Sequence, residues 1–375
     1  MLSWGIVATL MGICTNFTGF LLARFFLGVT ESGLFPGVVF YLSMWYKRTE
    51  TTFRIALFFS AASLAGAFGG VLAWGIAHMR GVGDLAGWQW IFILEGLLTV
   101  VVAVAAYEFI HNYPSTATFL TGPERKFIQN RLSSTSIGGG DALNNENFSW
   151  DGVRQAAGDP KVWLYGAAFH TLSLPLYTLS LFLPTIIKAL GYTAAQAQLM
   201  TVPPYAIATA LTLTFATFSE RTGRRAPFIL GATSIAIVGY IILLTAPTGK
   251  PAVSYVGTIF AATGIYPATA IVLAWPANNV SGQTKRATAN AMQISIGNLG
   301  AVLGTQLYRP NTSPRFYLGH GFAIGYLVAN LVVVGTLWWV LKRTNERKEG
   351  EAHGEHINHD IMVESDEDVR WIFQT

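Results

Sequence analysis

Charged side chains are scarce in this sequence. Lys and Arg together account for 24 of the 375 residues and Asp and Glu for 20, so only 12% of the chain is charged. A typical soluble domain carries about 25% charged residues. Hydrophobic residues make up 52% of the chain and the mean hydropathy is +0.42. This composition excludes an ordinary soluble protein and indicates a chain that resides in a lipid bilayer.

Cysteine is almost absent as well. Cys14 is the single cysteine, which excludes an internal disulfide and a cysteine-based zinc site. The sequence also lacks a serine triad, a metal-binding helix motif and a phosphate loop. We therefore expect no enzyme activity, no metal, no cofactor and no nucleic-acid partner.

Long apolar stretches are what the chain has in abundance. Each is long enough, at about 20 residues, to cross a hydrocarbon core of roughly 30 Å as a helix. The predicted spans are 2–14, 17–42, 53–78, 88–110, 162–187, 197–218, 226–246, 252–275, 287–308 and 319–341. The sequence thus predicts an all-α polytopic membrane protein with about ten transmembrane helices.

One long polar segment divides these spans. We expect a four-span bundle over 1–110, a linker with short amphipathic helices over 111–161, a six-helix bundle over 162–341 and a tail over 342–375. Basic residues concentrate in the loops after even-numbered spans and in the tail, and such loops face the cytoplasm. Both termini, the linker and the tail are therefore predicted to be cytoplasmic.

Arg24 and Glu31 stand inside an apolar run, "ARFFLGVTESGLFPG". Seven residues are almost two helical turns, so both side chains and Gly28 share one face of the helix, with the charges about 10 Å apart along its axis. A charge at this depth persists when it faces protein or water. Arg24 is either a structural pin bonded to a neighbouring span or part of a central polar pathway that steers an anion and lowers the pKa of a nearby acid.

Glu95 and His170 are the other titratable side chains within predicted spans. Glu95 follows the aromatic run "GWQWIF" and is either a hydrogen-bonded packing residue or part of the pathway. His170 is either a neutral imidazole bonded to a neighbouring Ser or Thr, or a proton relay.

Small residues predict close helix packing. Gly33 and Gly37, and Gly300 and Gly304, have the four-residue spacing that lets helix backbones approach each other. In the ninth span, one face of the predicted helix carries Gln293, Gly297, Gly300 and Gly304 in a single stripe.

Two long blocks of sequence carry a family resemblance. Residues 24–74 ("RFFLGVTESGLFPGVVFYLSMWYKRTETTFRIALFFSAASLAGAFGGVLAW") with 87–96 ("GWQWIFILEG"), and residues 274–320, which begin "AWPANNVSGQTKRATANAMQISIGN", resemble the fungal allantoate-permease-like branch of the major facilitator superfamily, the anion:cation symporters. The loop "FSERTGRR" (218–225) is similar to the short basic loop between the second and third helices of a half in that superfamily. The ending "DEDVRWIFQT" (366–375) is similar to the family's ending.

The resemblance implies a secondary transporter of two six-helix halves that takes up a small organic anion, such as allantoate, nicotinate or a vitamin-type carboxylate, together with protons. The family's arginine and carboxylate in the fourth helix match Arg24 and Glu31. With the residues found above, the candidate substrate and proton pathway is Arg24, Glu31, Glu95, His170, Asn278, Asn279 and Gln293. The candidate gating loops carry Arg221, Arg224, Arg225, Lys285 and Arg286.

Aligned to that family, the ten predicted spans correspond to helices three to twelve. We therefore expect the first two helices to be missing and the amino-terminal bundle to be incomplete. A non-transporting membrane receptor or a truncated pseudo-transporter is the alternative function. The family implies the plasma membrane of a fungal cell, and we expect a monomer whose partners are a small organic anion, protons and the lipid bilayer.

Overall fold

The computed structural model is built of α-helices. It describes residues 1–47, 50–111, 113–114, 116–133, 148–247, 250–308, 313, 315–354, 366, 368 and 371–375. In chain order the described helices are α1 (Leu2–Met11), α2 (Phe17–Glu31), α3 (Leu34–Trp45), α4 (Thr51–Ala77), α5 (Gly87–Phe109), α6 (Gly122–Ser133), α7 (Trp150–Gly158), α8 (Pro160–Ala189), α9 (Ala194–Leu199), α10 (Val202–Thr222), α11 (Ala226–Thr245), α12 (Pro251–Asn279), α13 (Gln283–Gly304) and α14 (Tyr317–Gly354).

Each predicted span falls on a helix, so the all-α polytopic fold is confirmed. Seven described segments are long and apolar enough to cross a membrane: Phe17–Trp45, Gly87–Phe109, Pro160–Ala189, Gln196–Thr222, Ala226–Thr245, Pro251–Asn279 and Tyr317–Glu351. The remaining three predicted spans are α1, which is short, α4, which is apolar in sequence over most of its length, and α13. Helix α13 is less apolar because it buries Asn290 and Gln293 against protein.

The second predicted span is interrupted. Its helix ends at Glu31, and a new helix begins at Leu34 after Ser32 and Gly33. Pro36 lies in the first turn of α3, where a residue without an amide N–H is tolerated because first-turn N–H groups have no partner within the helix. The break places Glu31 at the carboxyl end of α2, in the middle of the apolar segment Phe17–Trp45.

The linker contains the two short helices that its sequence predicts. These are α6 and α7, and the Ser149 hydroxyl caps α7 by accepting a hydrogen bond from the Gly152 amide at 3.5 Å. Pro160 ends that helix and opens α8, with Asp159 as the N-cap. The stretch 134–147 lies outside the described residues.

We call helices α1–α5 the first half and helices α8–α14 the second half. Helix α12 forms the centre of the second half. It packs against α8, α10 and α11 within that half and against α4 of the first half. A buried amide ties the surrounding helices together: Asn330 of α14 donates to the Ala168 carbonyl and the Thr171 hydroxyl, both at 2.9 Å, and accepts from the Thr233 hydroxyl at 3.0 Å. Three helices, α8, α11 and α14, therefore meet on one side chain.

The predicted small-residue stripe of α13 is confirmed as a packing surface. Gln293, Gly297, Gly300 and Gly304 are all buried, and α13 packs along α8. A Cβ at Gly300 would lie 2.5 Å from the His170 carbonyl oxygen, so the two backbones approach as closely as glycine allows. Gly33 and Gly37 have open space around them instead.

This contact generates a stability prediction. Gly300→Ala should lower the free energy of unfolding by about 1–3 kcal/mol, because the added methyl group overpacks the contact between α13 and α8. Gly335→Ala is the matched control, since a Cβ there meets nothing within 4 Å and alanine favours the helix. Thermal unfolding in detergent measures both, and equal melting temperatures for the two variants would contradict the close packing.

Candidate functional site

A cavity of about 690 Å³ opens between the two halves. This volume suits a small organic molecule. Helices α2, α3 and α4 line one side and α8, α12 and α13 the other. The lining residues are Gly28, Glu31, Ser32, Leu34, Phe35, Phe59, Ala62, Phe169, Leu176, Tyr177, Ser180, Leu181, Tyr266, Leu273, Ile294 and Asn298.

Glu31 is the single charged residue among those lining residues. It is exposed to the cavity at the carboxyl end of α2, and it makes no hydrogen bond or ion pair to any described residue. A carboxylate at a helix carboxyl end receives no stabilisation from the helix dipole. The Glu31 carboxylate is therefore available to bind a solute in the cavity.

Hydroxyl and amide groups form the polar wall opposite Glu31. The Tyr177 hydroxyl donates to Asn298 Oδ1 at 3.1 Å, which joins α8 to α13. The Ser180 hydroxyl and the Tyr266 hydroxyl lie 2.9 Å apart, which joins α8 to α12. These groups can donate to or accept from a bound solute without carrying charge themselves.

Aromatic rings provide the rest of the surface. The rings of Phe35 and Phe59 meet edge to face with centroids 6.2 Å apart, and Phe59 contacts Tyr266 at 6.1 Å. The cavity is thus mostly apolar, with a few polar groups that can orient a ligand.

Arg24 lies outside the lining but on the same face of α2 as Gly28 and Glu31. It is one turn from Gly28, about 6 Å along the helix. Its guanidinium packs over the rings of Phe20 and Phe92, at 5.2 Å and 5.1 Å from their centroids, and makes no hydrogen bond or ion pair with the described residues. The side chain is exposed, so it is not pinned to backbone oxygens.

Glu95 and His170 do not reach the cavity lining. Glu95 is exposed on α5, and its backbone carbonyl accepts from Thr99. His170 Nδ1 lies 3.0 Å from the Ile296 carbonyl oxygen, a backbone partner on α13 rather than the Ser or Thr expected. Gln293 is fully buried and donates to the Val272 carbonyl at 2.8 Å.

Asn278 and Asn279 lie at what we term the linker end of the bundle, where Asp159, Arg225 and Lys285 are also found. The amide of Asn278 donates to the Thr52 hydroxyl of α4 at 2.8 Å. The amide of Asn279 donates to the Tyr165 hydroxyl at 2.9 Å. Both side chains hold helix ends together, and neither lines the cavity.

The predicted gating residues separate into buried and exposed groups. Arg225 and Lys285 are buried at the linker end, whereas Arg221 and Arg224 are exposed. Arg286 donates to the Val280 carbonyl at 2.9 Å. Burial lowers the pKa of Arg225 to about 10, and the nearby Glu220 carboxylate acts in the opposite direction. Arg225 therefore remains a cation at neutral pH.

The polar wall of the cavity was not predicted from the sequence. Tyr177, Ser180, Tyr266 and Asn298 are ordinary in composition, and their facing depends on how three helices pack. The alternation of hydroxyl and apolar residues in "TLSLPLYTLSLFLP" (171–184), around Pro175, is the one signal that could have marked α8 as a cavity helix.

A bundle of long apolar helices around a cavity is the architecture of a polytopic membrane protein that can hold a small solute. Residues 1–305 match the family model of the Major Facilitator Superfamily. The chain belongs to this superfamily and is an integral, multi-pass secondary transporter. The chain is 35% identical over 358 residues to the MFS-type transporter cnsO of Penicillium expansum, covering 93% of this chain and 68% of that protein.

Another relative carries a substrate in its name. The High-affinity nicotinic acid transporter of Saccharomyces cerevisiae is 31% identical over 334 residues, which cover 89% of this chain and 61% of that transporter.

Solved structures share the fold at low sequence identity. The MFS proton:xylose symporter XylE matches with a TM-score of 0.62 at 16% identity, covering 90% of this chain and 79% of that one. The transporter FucP in its outward conformation matches with a TM-score of 0.58 at 12% identity, covering 90% of this chain and 79% of that one.

Arg225 allows a direct test of the linker end. The Arg225 guanidinium donates to the buried Ser219 hydroxyl at 3.0 Å and to Gln374 Oε1 at 2.6 Å. Arg225→Ala should lower the free energy of unfolding by roughly 1.5–3 kcal/mol, because it removes these charge-assisted hydrogen bonds. The neighbouring exposed Arg224→Ala is the control and should change it by less than about 0.5 kcal/mol. Chemical or thermal unfolding measures the difference, and a tolerant Arg225→Ala would contradict the buried role of this cation.

Proposed function

We propose that the protein takes up a small organic anion together with protons, by alternating access of the cavity to the two sides of the membrane. The observation that carries the proposal is the lone carboxylate of Glu31 in an otherwise neutral, mostly apolar cavity. We assign the chain to the allantoate-permease-like branch and place it in the plasma membrane, with both termini, the linker and the tail in the cytoplasm. The four-span and six-span bundles are the two moving bodies.

Charge balance explains why the proton and the anion would travel together. An anionic solute in this cavity meets the Glu31 carboxylate, and two like charges in a poorly solvated site repel each other. Protonation of Glu31 removes the repulsion and turns the group into a hydrogen-bond donor. Tyr177, Ser180, Tyr266 and Asn298 then supply neutral hydrogen bonds to the solute.

Arg24 supplies the cation for this pathway. It lies one turn from the cavity on the same face of α2, exposed and without an anionic partner among the described residues. An exposed, unpaired guanidinium attracts an approaching carboxylate over a Debye length of about 8 Å at physiological salt. The nicotinic acid named for the Saccharomyces relative is a small carboxylic acid of the size that the cavity accepts.

The test of proton coupling is uptake of a radiolabelled panel of carboxylates, nicotinate and allantoate included, at pH 5 and pH 7. The wild type should take up a member of the panel faster at pH 5. Glu31→Gln mimics the protonated acid and should lower net uptake by about tenfold or more while leaving solute exchange across the membrane intact, because exchange needs no proton release. Glu108→Gln, an exposed carboxylate on α5 outside the lining, is the control.

Two results would contradict this proposal. Glu31→Gln with unchanged acid-stimulated uptake would exclude Glu31 as the proton carrier. Surface expression of the wild type with no uptake of any carboxylate would favour the receptor function instead.

The role of Arg24 predicts a different kinetic change. Arg24→Ala should raise KM about tenfold with little change in kcat, since the lost attraction acts on capture of the anion. Arg24→Lys keeps the charge and should retain most of the affinity, and Arg80→Ala, an exposed arginine after α4, is the control. The wild-type KM should also rise with salt. A KM that is indifferent both to Arg24→Ala and to ionic strength would remove Arg24 from the pathway.

A further inference from the structure

The last five residues of the sequence are docked against the linker end of the second half. Burial alternates along this segment: Trp371 is 6% exposed, Ile372 is 41% exposed and Phe373 is 3% exposed. Alternation of this kind is that of an extended chain lying on a surface. We call residues 371–375 the docked segment.

Two asparagine side chains bind the backbone of the docked segment. Asn345 of α14 accepts from the Phe373 amide at 2.9 Å and donates to the Phe373 carbonyl at 3.0 Å. Asn279 of α12 does the same for Gln374, at 2.8 Å and 2.9 Å. Trp275 adds a bond from its indole N–H to the Gln374 carbonyl at 2.7 Å. Each asparagine pairs with one residue as a neighbouring β-strand would.

Cations anchor the segment and the residues before it. Lys161 and Lys348 each hold an ammonium group 4.6 Å from the centre of the Phe373 ring. The Lys348 ammonium also donates to the carbonyl oxygens of Asp366, Asp368 and Trp371, at 2.6, 2.9 and 3.1 Å. Lys348 therefore contacts both the docked segment and the described residues Asp366 and Asp368 that precede it.

Asp366 is fixed by a further cation. Lys285 of α13 pairs with Asp366 at 2.9 Å, and Asp159 lies 3.5 Å from the same ammonium. Asp366 is itself buried, at 2% exposed. Interactions of this number and kind distinguish a docked peptide from a tail that rests on the surface.

The docked segment is bound next to the contacts that join the two halves. Hydrogen bonds cross between the halves there: the Asn278 amide donates to the Thr52 hydroxyl at 2.8 Å, and the Phe53 amide donates to Glu220 Oε1 at 3.3 Å. We call this pair of bonds the latch. Asn278 forms one bond of the latch, and its chain neighbour Asn279 binds the docked segment. The last turn of α12 therefore contacts both the first half and the docked segment.

Arg225 provides a second connection. Its guanidinium donates twice to Gln374 Oε1, at 3.1 Å and 2.6 Å, and once to the Ser219 hydroxyl at 3.0 Å. Ser219 precedes Glu220, the acceptor of the latch, and the Arg225 backbone amide donates to the Thr375 carbonyl. The docked segment therefore holds the cation and the turn that set the position of Glu220.

We propose that the docked segment is an internal strap that stabilises the closed latch, so that its release favours separation of the two halves at the linker end. The strap acts through Asn279 and Arg225 on the neighbouring latch residues Asn278 and Glu220. This inference rests on the alternating-access part of the proposed function, because it requires the halves to separate at this end. It requires no particular substrate and no proton coupling.

The experiment measures the strap and the latch separately, in the full chain and without substrate. Hydrogen exchange of the peptide containing residues 371–375 reports docking, since the Phe373 and Gln374 amides are bonded to asparagine side chains. Opening of the latch is reported by maleimide labelling of Ala56→Cys in a Cys14→Ser background. Ala56 is fully buried and lies one turn after Thr52 on the same face of α4.

Phe373→Ala should abolish the protection of the docked segment and raise the labelling rate of Ala56→Cys about tenfold, because undocking removes the bonds of Gln374 to both Asn279 and Arg225. Ile372→Ala is the matched control and should change neither, because Ile372 is 41% exposed whereas Phe373 is 3% exposed. Gln374→Ala keeps the aromatic anchor and removes the acceptor of Arg225, so it should raise labelling by a smaller factor.

Three results would overturn the strap. The first is a wild-type segment that exchanges as fast as a free peptide. The second is a Phe373→Ala variant that releases the segment while Ala56→Cys labelling stays unchanged. The third is equal labelling in Phe373→Ala and Ile372→Ala. Thermal unfolding of each variant confirms that it is folded, and Gln374→Ala serves as the test if Phe373→Ala fails to fold. Failure of carboxylate uptake leaves all of these measurements interpretable.

Discussion

The structure depends on one constraint: a polar group that water cannot reach must find its partner within the protein. Backbone groups meet it by forming helices. The second half meets it with side chains too, and Asn330 alone satisfies groups on α8 and α11 from its position on α14. Such a hydrogen-bonded amide holds the three helices in one arrangement, since shifting any of them would leave a buried donor or acceptor without a partner. The second half is therefore suited to move as a unit.

The same constraint explains where the cavity lies. Within the second half, polar side chains such as Gln293 and Thr233 bond to neighbouring helices and are removed from solvent. At the boundary with the first half, the Tyr177 and Asn298 side chains bond to each other, and the Ser180 hydroxyl donates to the Leu176 carbonyl at 2.9 Å and contacts the Tyr266 hydroxyl. These side chains keep further donors or acceptors for a solute. Polar groups that serve packing and polar groups that face the cavity thus occupy different faces of the same helices.

Hydropathy alone predicted the helices, because twenty apolar residues in a bilayer have few other solutions. Spacing also predicted the glycine stripe of α13 and the shared face of Arg24, Gly28 and Glu31. It could not predict which face of α8 meets the cavity, since α8 carries hydroxyl residues on opposite faces and its orientation depends on contacts with α12 and α13. The docking of Phe373 and Gln374 was also out of reach, because its partners, Asn279, Asn345 and Lys348, come from distant parts of the sequence.

The charges on α2 set an order of events for the proposed transport. An anion that approaches along this face meets Arg24 before it meets Glu31, one and a half to two turns further on. Attraction by Arg24 brings the solute close to Glu31, whose carboxylate repels the anion until Glu31 is protonated. Entry of the anion and protonation of Glu31 are then thermodynamically linked, because each raises the probability of the other by the same factor. In the proposed mechanism, two opposite charges in this order on one helix face link binding of the anion to protonation of Glu31 without a direct ion pair between Arg24 and Glu31.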